Sequence, residues 1–161
     1  AEEMWAAMPA IARDADSVHL SSWYVENPEF INAELDSKWD KIIKLRKEVN
    51  KVLEKARQGE NRIIGNSLDA EVSLFIGNDE YKSLLADKEL LEMIFIISKL
   101  NIVETKDDSF TESEELKDIS IKVAHATGEK CERCWKYSEE LGTHEEHSTI
   151  CPRCTGVLVN N

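Results

Sequence analysis

Between residues 38 and 58 apolar side chains return every three or four positions, and the rest of the chain is easiest to read outward from that stretch. At about 100° per residue, Trp39, Ile42, Leu45, Val49, Val52, Leu53 and Ala56 fall on one helical face. Lys41, Lys44, Lys47, Lys51 and Lys55 fall on the opposite one. Ser37, with Asp40 three residues on, reads as the N-terminal cap, and Gly59 as the stop. The period then drops to two. Ala70, Val72, Leu74 and Ile76 alternate with Glu71, Ser73 and Phe75, which predicts a half-buried strand. Gly77-Asn78-Asp79 ends that strand and opens a short helix through Leu85, and Asp87 caps a second helix that ends near Ser98. Residues 100–103 form a second strand, and Ile119, Ile121 and Val123, alternating with Ser120, Lys122 and Ala124, a third. Residues 104–118, acidic and polar, read as a surface loop. Ahead of the long helix, residues 1–9 carry a helical pattern too short to stand alone, residues 18–24 read as extended and aromatic, and Asn27-Pro28 marks a turn. The predicted class is α+β: a long helix and a small mixed sheet with covering helices, followed by a C-terminal four-cysteine ribbon.

Composition narrows this picture. A chain of 161 residues holds one modest core plus a small metal module and is cramped for a large enzyme fold. No apolar run approaches the ~20 residues that span a bilayer, so no membrane role is expected, and reduced cysteines point to an intracellular, cytoplasmic setting. A net charge of −12 argues against nucleic acid until its distribution is considered. Residues 38–62 carry nine bases against four acids, whereas residues 63–129 carry six against fifteen. The basic charge is concentrated on the long helix. A lysine face of this kind is more often a solvated surface with local pairs such as Asp40–Lys44 and Glu48–Lys51, and its functional reading is a rail for a phosphate backbone.

The chemistry lies in Cys131-Glu132-Arg133-Cys134 and, sixteen residues on, Cys151-Pro152-Arg153-Cys154, which hold all four cysteines. Each C-x2-C turn presents two thiolates, and two such turns close a tetrahedron around one structural Zn2+. Iron suits the same set, particularly the Cys-Pro-x-Cys half. Two disulfides, or a redox dithiol, fit less well, because no secretion signal and no βαβ pattern around one reactive pair is present. His144 and His147 lie between the pairs and read as exposed loop residues, and His19 as a packing or surface residue. No phosphate-binding loop, nucleophile elbow or dinucleotide fingerprint is present, and a four-thiolate metal has no open position for catalysis. What the knuckles can do is present side chains. Arg133 and Arg153 occupy the third position of each pair, where guanidinium groups suit phosphates or base edges, and Trp135 can stack on an unpaired base or pack beneath the metal.

Lys130-Cys131-Glu132-Arg133-Cys134-Trp135-Lys136-Tyr137, with the later Cys-Pro-Arg-Cys, closely resembles the carboxy-terminal zinc peptide of bacterial isoleucyl-tRNA synthetases. Trp39, Leu45-Arg46, Val49, Leu53-Glu54, Ala56-Arg57, Ile64-Gly65, Ser67-Leu68 and Ala70 resemble the helix and strand before that peptide. Trp5 and residues 17–20 resemble the end of the anticodon-binding helical domain. The resemblance implies residues 1–36 as the tail of that domain and a linker, 37–127 as an α+β junction domain and 128–161 as the zinc ribbon. It also implies a carboxy-terminal part of a class I aminoacyl-tRNA synthetase that charges tRNA-Ile with isoleucine using ATP, its catalytic and anticodon-binding domains lying upstream. This part would aid binding at the anticodon end, with Arg133 and Trp135 as the leading RNA contacts, Arg153 beside them, and the face from Lys41 to Lys55 along the tRNA backbone. The same ribbon type resembles that of DNA-repair glycosylases, which is the alternative from another class, although Ala1 and the long-helix signature disagree with it. A zinc-stabilised protein-interaction module is the third reading.

Overall fold

The computed structural model describes residues 1–60 and 62–159 and forms two compact units, one over residues 1–33 and one from residue 34 onward. In the first, helix α1 (Glu2–Ala7) is followed by 3-10 turns at Ala10–Ala12, Val18–Leu20 and Pro28–Phe30. The stretch expected to be extended from residue 18 instead begins with a turn. The Ser17 hydroxyl accepts the His19 amide at 3.2 Å and donates to Glu2 Oε1 at 2.6 Å, so local side-chain chemistry outweighs the β-branched and aromatic composition. His19 sits on the surface, its Nε2 3.7 Å from Glu2.

In the second unit, helix α2 (Ala33–Arg57) buries Ile42, Leu45, Val49, Val52, Leu53 and Ala56. It begins four residues ahead of Ser37, which therefore lies inside the helix instead of capping it. Ala33 and Leu35 are good helix formers, and Glu34 and Asp36 place negative charge at the positive end of the helix dipole. Trp39, expected on the buried face, is 36% exposed at its rim. Beyond Arg57, Gly59 adopts φ +85°, and the Ile63 and Ile64 amides both donate back to the Ala56 carbonyl, folding the fully buried Ile64 over the helix end.

Strand β1 (Ala70–Ile76) matches the alternation, with Ala70, Val72, Leu74 and Ile76 facing inward. Asn78 then caps α3 (Asp79–Lys82) by accepting the Glu80 amide, and a 3-10 turn leads into α4 (Lys88–Phe95). Asp87 stands at the N-terminus of α4 but its carboxylate pairs with Lys38 at 2.7 Å and makes no cap bond. Helix α4 ends at Ile96 in the left-handed region. Strands β2 (Lys99–Val103), β3 (Thr111–Glu112) and β4 (Ile119–His125) complete a mixed sheet in the order β2-β1-β4-β3. The β1–β2 pair is parallel and reached through α3 and α4; β4 is antiparallel to both its neighbours. In register, Val72 faces Val123, Leu74 faces Ile121 and Ile76 faces Ile119, so one sheet face joins α2 and α4 in a single apolar core.

Glu48 is the charged exception in that core, 2% exposed. Its carboxylate accepts the Ser113 hydroxyl at 2.6 Å, the amides of Glu114 and Glu115, and Lys51 Nζ at 2.7 Å, thereby fastening the turn before β4 to the helix. Burial works against its charge, but these donors outweigh burial and hold the carboxyl at about 2. After β4, the Ala126 amide donates to the Asp69 carbonyl, and Gly128 turns the chain into the hairpin β5 (Glu129–Lys130) and β6 (Tyr137–Ser138). A Cβ on Gly128, at φ +89°, would lie 2.4 Å from the Ser138 carbonyl, so this approach requires glycine. Helix α5 (Pro152–Val159) follows, and the expected ribbon thus consists of a hairpin and a helix. Among the described residues no helix is long and apolar enough to cross a membrane.

Candidate metal centre

Hairpin and helix each deliver one cysteine pair. The Cys131 amide donates to the Lys136 carbonyl at 2.9 Å, while the Trp135 amide donates back to the Cys131 carbonyl at 2.8 Å, closing a tight turn around two sulfurs. The second pair uses the start of α5. Cys151 precedes the helix, Pro152 fits its first position, where no amide donor is needed, and Cys154 follows on the same side. The Glu132 amide donates to the Thr149 carbonyl, and the Cys151 amide to Cys131 Sγ at 3.3 Å, joining the halves.

The sulfurs of Cys131, Cys134, Cys151 and Cys154 all lie within 4.8 Å of one another, three of the four cysteines being buried. A tetrahedral zinc site with Zn–S bonds of about 2.3 Å has sulfur–sulfur edges of about 3.8 Å. Cys134 and Cys151 are separated by 3.7 Å, which suits that edge and is far beyond a disulfide bond of about 2.05 Å. The electrostatics agree. Burial opposes ionisation of Cys131, yet the amides of Cys134, Cys151 and Arg133 aim at its sulfur and bring it down to about 6. At Cys151 burial dominates and, despite the Cys154 amide, combines with the surrounding sulfurs to push the thiol up to about 12. Four thiolates so close together ionise only with a cation among them, and one structural Zn2+ supplies that charge. The four cysteines would fill its shell. His144 and His147 stack on each other at 5.5 Å and stand outside the sulfur set.

The proposed recognition residues occupy different settings. Trp135 does not pack beneath the metal: it is 57% exposed and held at φ +64°. It borders a groove of about 450 Å³ lined also by Asn66, Lys130, Cys131 and Glu132. Arg133 is exposed. Arg153 also lies on the surface, and although burial opposes its charge, the neighbouring Cys134 and Cys154 sulfurs favour it and raise the guanidinium above its ordinary range. The lysine face is divided. Lys51 pairs with Glu48, Glu114 and Glu115, Lys55 with Glu114 and Lys41 with Glu80, whereas Lys44 and Lys47 are exposed and make no ion pair among the described residues. The Asp40–Lys44 pair does not form among them, and Glu48–Lys51 does.

Sequence reasoning missed Asn66, Lys130 and Glu132 as walls of a groove, because Asn66 comes from the capping turn before β1 and meets the hairpin only in the folded chain. Their polar character was the one available signal.

Residues 128–155 match the family described as the zinc finger found in FPG and IleRS. The isoleucine--tRNA ligase of Desulforamulus reducens is 41% identical over 159 residues, covering 98% of this chain and 17% of the relative. That of Syntrophotalea carbinolica is 38% identical over 161 residues (99% and 17%), and that of Thermotoga petrophila 40% over 160 (98% and 16%). The chain therefore spans about 17% of the length of the curated relatives it matches. Its likeness runs well beyond the zinc finger and takes in the helix and mixed sheet as well. Over nearly its whole length, this chain resembles the carboxy-terminal region of bacterial isoleucine--tRNA ligases, its four cysteines forming the zinc finger of that region.

Proposed function

We propose that this chain is a tRNA-recognition region of an isoleucine--tRNA ligase, aiding the binding of tRNA-Ile near its anticodon while catalytic domains elsewhere in the larger enzyme carry out ATP-dependent aminoacylation. In this reading residues 1–36 continue an anticodon-binding helical domain, 37–127 form a junction domain, 128–161 form the zinc finger, and the whole enzyme acts in the cytoplasm. On this reading the catalytic groups belong to those other domains and not to this chain.

The observation that carries this reading is Trp135. A bulky side chain in the left-handed region costs of order 1–3 kcal/mol, and here more than half of the residue's surface stays open to solvent. The ring is instead displayed beside a groove with an amide at Asn66, an ammonium at Lys130 and a carboxylate at Glu132. An indole stacks on an unpaired base, polar groups below it meet the base edge, and Arg133 lies two residues away for the phosphate. Arg153 stands beside the cluster, and Lys44 and Lys47 are the open cations of the helix face, with Lys41, Lys51 and Lys55 partly neutralised by acids. Base stacking therefore outweighs backbone attraction in this arrangement. The zinc finger alone fits FPG as well as the ligases, but the similarity across 98% of the chain is to ligases and favours RNA over the DNA-repair reading.

Trp135→Ala tests the proposal. With zinc content unchanged, affinity for a tRNA-Ile anticodon stem-loop falls roughly 5- to 150-fold, the equivalent of about 1–3 kcal/mol for one stacked base. Unchanged affinity contradicts it.

A further inference from the structure

The zinc finger and the sheet do not share an apolar core. The cysteines cluster with Leu141 and Ile150, while the residues of α2, α4 and the sheet form a separate cluster. Contacts outside those two clusters therefore hold the finger in place. Three are ion pairs, Lys130–Asp69 and Lys99–Glu139 at 3.8 Å and Lys136–Glu92 at 4.0 Å, long and partly open to solvent. Such pairs contribute little individually and are screened by salt. The Tyr137 ring also meets His125 edge-on, at an exposed position.

The buried contact is different. Ser98, 9% exposed and just ahead of β2, donates its hydroxyl proton to the Leu68 carbonyl at 2.5 Å and accepts the Tyr137 amide of β6 at 2.7 Å. Its own amide donates to the Ala70 carbonyl. One hydroxyl thus ties the turn before β1, the start of β2 and the zinc hairpin together, with its single proton and an accepting lone pair both used. Removing it leaves the Leu68 carbonyl and the Tyr137 amide without that partner in a half-buried site, where a lost hydrogen bond costs more than at the open surface.

We infer that Ser98 is the positioning residue that fixes the zinc finger, and with it Trp135, against the sheet. It also sets the width of the groove, because Asn66 belongs to the turn that Ser98 holds on one side and Trp135 to the hairpin that it holds on the other. The importance of this position for RNA rests on the function proposed above; the positioning itself does not.

The test is amide hydrogen exchange on the zinc-loaded chain, followed at Tyr137. In wild type, Tyr137 stays protected as salt is raised to about 1 M, because the ion pairs are screened and the Ser98 bond is not. In Ser98→Ala its exchange rises about tenfold or more with zinc still bound, and Ser98→Thr, which keeps the hydroxyl, restores protection. Loss of protection with salt in wild type, or unchanged exchange in a zinc-loaded Ser98→Ala, overturns the inference. Affinity for the anticodon stem-loop, measured on the same samples, separates the two claims. If wild type fails to bind RNA while the exchange pattern holds, the recognition reading falls and the positioning role of Ser98 stands.

Discussion

At Trp135 backbone comfort and side-chain display pull against each other. Most side chains at φ +64° are strained, and glycine is not, so Trp135→Gly should raise the thermal stability of the zinc-loaded finger by up to about 1 kcal/mol while weakening RNA binding. A stability loss in thermal unfolding would instead mean that the ring packs against its surroundings. Gly128 presents the reverse case, since its φ of +89° and its approach to Ser138 leave no room for a Cβ. Gly128→Ala is expected to destabilise the finger by about 2 kcal/mol or more, read as lower chelator resistance and a lower unfolding midpoint. The cysteines were legible because ligand spacing is local information carried by two tight turns. The left-handed backbone at Trp135 was not, since the same spacing accommodates other knuckle conformations, and its exposure followed only from the folded hairpin.

Among elements, the separation of the two apolar clusters has a direct consequence for the metal. Cys131→Ser, Cys154→Ser or chelation removes what holds hairpin and α5 together, yet leaves α2 and the sheet with their own core. Far-UV circular dichroism should lose only part of its helical and strand signal, and global collapse would contradict that independence. Glu48 has a comparable role inside the larger unit. Its carboxyl drops from 4.5 to about 2 on folding, so its stabilisation is complete above pH 4.5 and fades as pH falls toward 2. That shift corresponds to about 3 kcal/mol. Glu48→Gln should therefore lower stability at neutral pH by about 2–3 kcal/mol and flatten the acid limb of the stability curve; equal acid sensitivity in both proteins would exclude this carboxyl as the cause. Strand β1 was readable residue by residue because alternation and burial share one period. The start of α2 was not, as the helix-forming Ala33 and Leu35, with the first-turn acids Glu34 and Asp36, extended it past a plausible cap. The pair of Glu48 with Lys51 was local and readable, but the burial of Glu48 and the role of Ser98 were not, because the hydroxyl, amide and carbonyl groups that their side chains meet lie 30 to 67 residues away, where no local pattern reaches.

On the scale of the whole molecule, a chain of net charge −12 is an unpromising RNA ligand, and the pairing of Lys41, Lys51 and Lys55 with carboxylates reinforces that impression. Recognition through a ring and a groove, with a small number of open cations, is compatible with that charge, in a region that spans about 17% of its relatives' length. The decisive measurement is an NMR titration of the zinc-loaded chain with a tRNA-Ile anticodon stem-loop at low and moderate salt, following the Trp135 indole and the amides of Arg133, Asn66 and residues 41–55. Selective shifts at Trp135, Arg133 and Asn66 that survive moderate salt are expected, with weaker, salt-sensitive shifts at Lys44 and Lys47. Shifts confined to the helix lysines, or none at Trp135 at either salt, would contradict recognition through the ring and groove.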